Sequence, residues 1–204
     1  MTRIKICGIT NREDAMRAAK LGADALGFIF YRGSRRYIDP GIAARIVGSL
    51  PPFITTVGVF VNQSLDEIAS LKEKTGIDAV QLHGDESPEF CNAVPYKLIK
   101  ALRIKDNIDR EEVELYSVQA ILFDKHSEDS YGGTGRSFNW DILRNLDISK
   151  EIILSGGLTP ENVCQAMETV KPYGVDVSSG VEDSPGKKNH VKLRKFIEAV
   201  RNGY

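Results

Sequence analysis

Short aliphatic, strand-like runs alternate with amphipathic, helix-like runs eight times along this chain, and that alternation restricts the fold more than any other feature. The strand-like runs lie near 3–8, 25–30, 55–61, 79–83, 97–102, 120–124, 151–155 and 173–178. The helix-like runs lie near 13–21, 40–49, 65–75, 87–93, 108–117, 139–146, 160–169 and 189–202. Several helices carry their own start signals: Asn11, Ser64, and Thr159 followed by Pro160 at the first helical position. Strictly alternating elements build a parallel sheet. Eight units in 204 residues, about 25 residues each, predict that the sheet closes into a (β/α)8 TIM barrel, a single domain over 1–204. An open doubly wound sheet would instead need near-continuous apolar central strands and a glycine-rich dinucleotide turn after the first strand. Cys7-Gly8-Ile9-Thr10-Asn11 does not match that turn.

Side-chain parity points the same way. Ile4 and Ile6 oppose Arg3, Lys5 and Cys7; Val80 and Leu82 oppose Gln81 and His83; Ile121 and Phe123 oppose Asp124; Val175 and Val177 oppose Asp176 and Ser178. If the aliphatic faces pack under helices, the polar faces point into the barrel. Cys7, His83, Asp124 and Ser178 then gather at its C-terminal rim, where enzymes of this fold place their chemistry.

Composition removes several alternatives. Lys plus Arg (27) nearly balances Asp plus Glu (28), so the formal charge of −1 gives no general attraction to nucleic acid or an anionic membrane. The apolar blocks fall well short of the ~20 residues that span a bilayer, and no signal-peptide core opens the chain, so a cytoplasmic location is expected. Three scattered cysteines (Cys7, Cys91, Cys164) suggest neither a disulfide framework nor a zinc site, and His83, His126 and His190 share no metal-binding spacing. No metal is expected. Helix exteriors show no large apolar patch, and both a monomer and a homodimer are compatible with the pattern.

Cys7 is the first candidate for chemistry. A lone strand cysteine is ordinarily an inert core residue, but this one sits at a strand tip among converging polar groups. A free thiol, with a pKa of ~8.5, is only about 3% thiolate at neutral pH, so a neighbouring cation must favour the anion if it is to act as a base. Lys5, two residues earlier on the same interior face, needs a buried partner, and Asp176 on the adjoining eighth strand is the natural one. Asp124, in a partly closed pocket near an anion, would tend to hold its proton and could donate it. The turns Ser155-Gly156-Gly157 and Ser178-Ser179-Gly180 fall on the seventh and eighth loops, where this fold cradles phosphate with backbone N–H groups. Of Arg35 and Arg36 on the second loop, one could hold a carboxylate bidentately. Gly132-Gly133-Thr134-Gly135 reads as a lid over the site and Trp140 as a packing anchor beneath it.

These motifs together resemble the phosphoribosylanthranilate isomerase family. The similarity is carried by Lys5-Ile6-Cys7-Gly8-Ile9-Thr10, Val80-Gln81-Leu82-His83-Gly84, Phe123-Asp124, the 132–135 loop with Phe138 and Trp140, Leu154-Ser155-Gly156-Gly157-Leu158 and Val175-Asp176-Val177-Ser178-Ser179-Gly180-Val181-Glu182. The resemblance implies a cofactor-free barrel of tryptophan biosynthesis. Its substrate is a small phosphosugar, and its reaction is the Amadori rearrangement of N-(5′-phosphoribosyl)anthranilate to 1-(2-carboxyphenylamino)-1-deoxyribulose 5-phosphate. It implies Cys7 as general base, Asp124 as general acid, Arg36 on the anthranilate carboxylate, and Gly156, Gly157, Ser179 and Gly180 on the phosphate. The interior residues Gln81, His83, Asp176 and Ser178 complete the expected substrate-binding set. Asn189 stands where the family often has Asp, and either residue can cap the last helix. The competing expectations are a related phosphate-binding barrel, either a histidine-pathway aminoaldose isomerase, which an aspartate in place of Cys7 would favour, or a lyase on the same scaffold, and a non-catalytic phosphosugar-binding barrel, which has no need of both Cys7 and Asp124.

Overall fold

The computed structural model describes residues 1–104, 108–125, 139–144 and 146–203. Eight parallel strands close into a barrel in sequence order: β1 (Arg3–Cys7), β2 (Ala25–Ile29), β3 (Thr55–Phe60), β4 (Ala79–Leu82), β5 (Leu98–Ile104), β6 (Ala120–Lys125), β7 (Glu151–Leu154) and β8 (Gly174–Val177). The last strand pairs with the first, in a register that sets Lys5 opposite Asp176. Around the barrel run α1 (Arg12–Leu21), α2 (Pro40–Val47), α3 (Leu65–Thr75), α4 (Pro88–Ala93), α5 (Arg110–Glu114), α6 (Val163–Val170) and α7 (His190–Asn202).

Local chemistry starts most of these helices. Asn11 Oδ1 accepts from the Asp14 N–H at 2.9 Å. Ser64 and Glu67 form a reciprocal capping box at the head of α3. Asn189 accepts from the Val191 and Lys192 N–H groups, both at 2.9 Å, so it caps α7 as an aspartate would.

Parity sorts the strand side chains as expected. Ile4, Ile6, Val80, Leu82, Ile121, Phe123, Val175 and Val177 face outward into one continuous apolar layer beneath the helices. Each large side chain buried there contributes about 1.5–3 kcal/mol. Ala101, Ala120, Leu122 and Ile153 fill the barrel interior as a separate small cluster, leaving the polar interior positions for the rim.

Four elements differ from the sequence reading. Among the described residues of 139–146 the helical structure is a 3₁₀ turn at Trp140–Leu143, and α5 is shorter than the expected 108–117. Trp140 packs against the main core. The helix expected from 160 begins at Val163, because the Asn162 side chain folds back to accept from the Thr159 N–H at 2.8 Å and to donate to the Gly157 carbonyl at 3.0 Å. A hairpin, β9 (Glu182–Ser184) with β10 (Lys187–Lys188), has no counterpart in the sequence reading. The expected lid at 132–135, with Phe138 and His126, lies outside the described residues. Among the described residues no helix is long and apolar enough to cross a membrane.

Candidate active site at the C-terminal rim

Cys7 ends β1, His83 follows β4, Asp124 sits near the end of β6, and Ser178 follows β8, so one parity rule turns all four toward the barrel axis. They line a single cavity, joined there by Arg36 from the second loop and Asp176 from β8. The turns bearing Gly156, Gly157, Ser179 and Gly180 complete its wall.

At the floor, Lys5 Nζ donates to Asp176 Oδ1 at 2.8 Å, with both side chains 5% exposed. Ser155 Oγ reaches the other carboxylate oxygen at 3.4 Å. Cys7 lies above this pair. A Cβ on Gly27 would fall 2.8 Å from Cys7 Sγ and 3.2 Å from Lys5 Nζ, so the bare backbone of β2 makes the space that thiol and ammonium share. Burial disfavours the ammonium, but Asp176 and then Cys7 outweigh it and hold the Lys5 pKa above the ordinary lysine value. Burial pushes the Cys7 thiol up, with Lys5 pulling against it and Asp176 adding to the rise. The cation expected to favour the thiolate is therefore in place, yet its charge is largely claimed by Asp176, and the thiol stands above its ordinary value.

Across the mouth, His83 Nε2 lies 3.2 Å from Asp124 Oδ2, and His83 Nδ1 lies 2.8 Å from Gln81 Nε2. The imidazole therefore bridges the Gln81 amide and the Asp124 carboxyl group. Asp124 Oδ1 also accepts from the Lys125 N–H at 2.8 Å. Gln81, expected among the substrate-binding residues, does not reach the cavity wall: it is fully buried beneath His83 and acts on the ring instead.

The two glycine turns face the cavity from one side. Gly156 and Gly157 both take positive φ, 82° and 73°, a conformation that favours glycine, and both line the cavity. Ser179 and Gly180 open a short 3₁₀ turn, and its leading N–H groups have no partner within the turn. Gly180 admits no substituent, since a Cβ there would lie 1.9 Å from the Leu158 carbonyl oxygen. Ser178 Oγ is buried and has no hydrogen-bond partner among the described residues.

Arg36 is 8% exposed and turned toward Glu182, whose carboxylate takes its Nε and Nη2. Glu182 and Lys188 carry no role in the sequence reading. Glu182 stands in a motif quoted for its glycine turn, while Lys188 precedes the last helix with no periodicity to mark it.

The chemistry available is a thiol and a carboxyl group lining one cavity, together with two glycine turns and a guanidinium. Residues 4–199 match the family model described as N-(5′phosphoribosyl)anthranilate (PRA) isomerase. An N-(5′-phosphoribosyl)anthranilate isomerase from Pelobacter propionicus is 51% identical over 201 residues, covering 98% of this chain and 96% of its own length. The crystal structure of phosphoribosyl anthranilate isomerase from Thermus thermophilus superposes with a TM-score of 0.92 at 39% identity, covering 98% of this chain and 99% of that one. A phosphoribosyl anthranilate isomerase in complex with reduced 1-(o-carboxyphenylamino)-1-deoxyribulose 5-phosphate superposes with a TM-score of 0.88 at 42% identity, over 99% and 100% of the two chains.

Proposed function

The chain belongs to the N-(5′-phosphoribosyl)anthranilate isomerase family, and from that premise we propose the part that each rim residue takes in the reaction. The enzyme isomerises N-(5′-phosphoribosyl)anthranilate to 1-(2-carboxyphenylamino)-1-deoxyribulose 5-phosphate in tryptophan biosynthesis. Asp124 gives its proton to the furanose ring oxygen as the lone pair of the anthranilate nitrogen forms C1′=N and the C1′–O bond breaks. Cys7, as thiolate, removes the C2′ proton, and the electron pair of that C–H bond moves to give the enolamine. Ketonisation then places a proton on C1′ while the C2′ hydroxyl loses one, so the overall change is a rearrangement with nothing oxidised or reduced by a partner.

Arg36 holds the anthranilate carboxylate, and the backbone N–H groups of Gly156, Gly157, Ser179 and Gly180 hold the phosphate, with Ser178 Oγ as a further donor. Fastening both anionic ends leaves the ribose between sulfur and carboxyl group, and such alignment is worth several kcal/mol of barrier. His83, hydrogen-bonded to Asp124, stabilises the carboxylate that remains after proton donation.

The observation that carries this reading is that Cys7 and Asp124, 117 positions apart in sequence, line the same cavity. The test follows the loss of fluorescence of phosphoribosylanthranilate generated in situ. Cys7→Ser and Asp124→Asn should each lower kcat by about 10²–10⁴, the usual contribution of a positioned acid or base, with KM little changed. A variant with full turnover would remove that residue from the mechanism.

A further inference from the structure

The hairpin β9–β10 places two buried charged groups behind the cavity that the reaction above does not use. Glu182 accepts from Arg36 Nε through both oxygens at 3.0 Å and from Nη2 at 2.7 Å. Its Oε1 also accepts from Lys188 Nζ at 2.8 Å and from the Gly186 N–H at 3.3 Å. Lys188 has no exposed side-chain surface, and its remaining donors go to the Cys7 carbonyl at 2.6 Å and the Ser178 carbonyl at 3.2 Å. The Lys188 N–H donates to Asp14 Oδ2 at 2.9 Å, which ties the hairpin to α1. One strut therefore joins the tip of β1, the end of β8 and the loop after β2.

The geometry at Arg36 is directional. Its stem crosses the bare Cα of Gly8, where a Cβ would lie 2.7 Å from Cδ. Its Nε edge is consumed by Glu182, while Nη1 has no acceptor among the described residues and the side chain lines the cavity. The trio of Arg36, Lys188 and Glu182 keeps one net positive charge, which suits one further carboxylate.

We propose that Glu182 is a positioning residue for substrate recognition: anchored by Lys188, it grips Arg36 by the Nε edge and so presents Nη1 to the carboxylate of the substrate. This rests on the reading that Arg36 takes the anthranilate carboxylate. A guanidinium left to rotate would lose its aim at a planar carboxylate and lower affinity for that end of the ligand alone.

The test is calorimetric binding of two probes: the reduced product analogue and its counterpart without the carboxyl group. Glu182→Gln is nearly isosteric and still offers one oxygen to the same donors. It should weaken the carboxylated probe about tenfold, as expected for loss of charge-assisted geometry, and leave the other probe within about twofold. In turnover the loss should appear in KM rather than in kcat. In an Arg36→Met background the same substitution should add nothing. Equal weakening of both probes, or the full tenfold loss retained in Arg36→Met, would overturn the positioning role and leave Glu182 a stability residue. If Arg36→Met itself does not distinguish the probes, the carboxylate reading of Arg36 fails, whatever Glu182 does. Glu182→Asp, which keeps the charge but withdraws it by one methylene, provides the same contrast should the glutamine variant not fold.

Discussion

Removing the Lys5 ammonium should do two separable things. The Lys5–Asp176 pair spans 2.8 Å, and both side chains are 5% exposed, so Lys5→Met strands a carboxylate whose remaining side-chain contact is the 3.4 Å bond from Ser155. Breaking a buried pair from one side costs about 3–5 kcal/mol. At 2–4 °C per kcal/mol for a domain of this size, that is a fall in Tm of roughly 6–20 °C. Asp176→Asn should cost a similar amount, and the double variant far less than both singles together, because neither charge is then left alone. The Lys5 pKa is raised on folding, so the pair's contribution is whole below the ordinary lysine value and is lost only as pH climbs through the higher folded value. The destabilisation should therefore be flat across neutral pH.

The second effect is on sulfur, and here the two single variants should act oppositely. Lys5 opposes the rise of the Cys7 pKa and Asp176 adds to it, so Lys5→Met makes the thiol harder to ionise and Asp176→Asn makes it easier. The rate of Cys7 alkylation by iodoacetamide near pH 8, read by mass spectrometry of its peptide, reports the thiolate directly. It should drop about tenfold or more in Lys5→Met, because an opposite charge within ~4–6 Å shifts ionisation by at least that factor, and rise in Asp176→Asn. Rates that move in the same direction in both variants would refute the competition between thiolate and carboxylate for one ammonium.

Gly180→Ala sets a methyl group 1.9 Å from the Leu158 carbonyl oxygen, so one of the two turns must move. KM should rise at least about tenfold and competitive inhibition by inorganic phosphate should weaken in parallel, as expected when backbone donors lose their aim at an anion; unaltered phosphate inhibition would count against the cradle. Burial works against the Glu182 carboxylate, but Arg36 and Lys188 together hold its pKa below the ordinary value. Its stabilising contribution should thus be present above about pH 4.5 and fade as pH falls through the depressed value. In urea melts the gap between wild type and Glu182→Gln should narrow on acidification, and a gap that widened would contradict that sign.

The barrel was legible because its pattern is local. Alternation within β1, β4, β6 and β8 told which side chains face inward, and that alone brought Cys7, His83, Asp124 and Ser178 to one rim. It also paired Lys5 with Asp176, because closure makes the first and last strands neighbours. The helix ends were less legible: Asn162 looks like an ordinary interior residue, yet its side chain bonds Gly157 and delays α6. The hairpin was missed because strands of two and three residues have no periodicity to read. The partners of Glu182 and Lys188 were hidden for a different reason: Arg36 is 146 positions from the first and Cys7 is 181 positions from the second. Contacts of that span exist only after the sheet has closed. Gln81 lies on the expected interior face, but its side chain is buried against His83, since parity gives direction and not reach.

The ammonium of Lys188 resting on the carbonyl of Cys7 has a consequence for how activity appears during synthesis. Cys7 precedes by 181 positions the lysine that steadies its backbone, and the flanking strand β8 and the Ser179-Gly180 turn also come late relative to it in chain order. A chain halted between β6 and β8 holds both Cys7 and Asp124 but lacks the strand and the turn that would close the site around them. The rim is complete only once that hairpin is in place, and severing the hairpin should extinguish turnover while leaving most of the polypeptide intact.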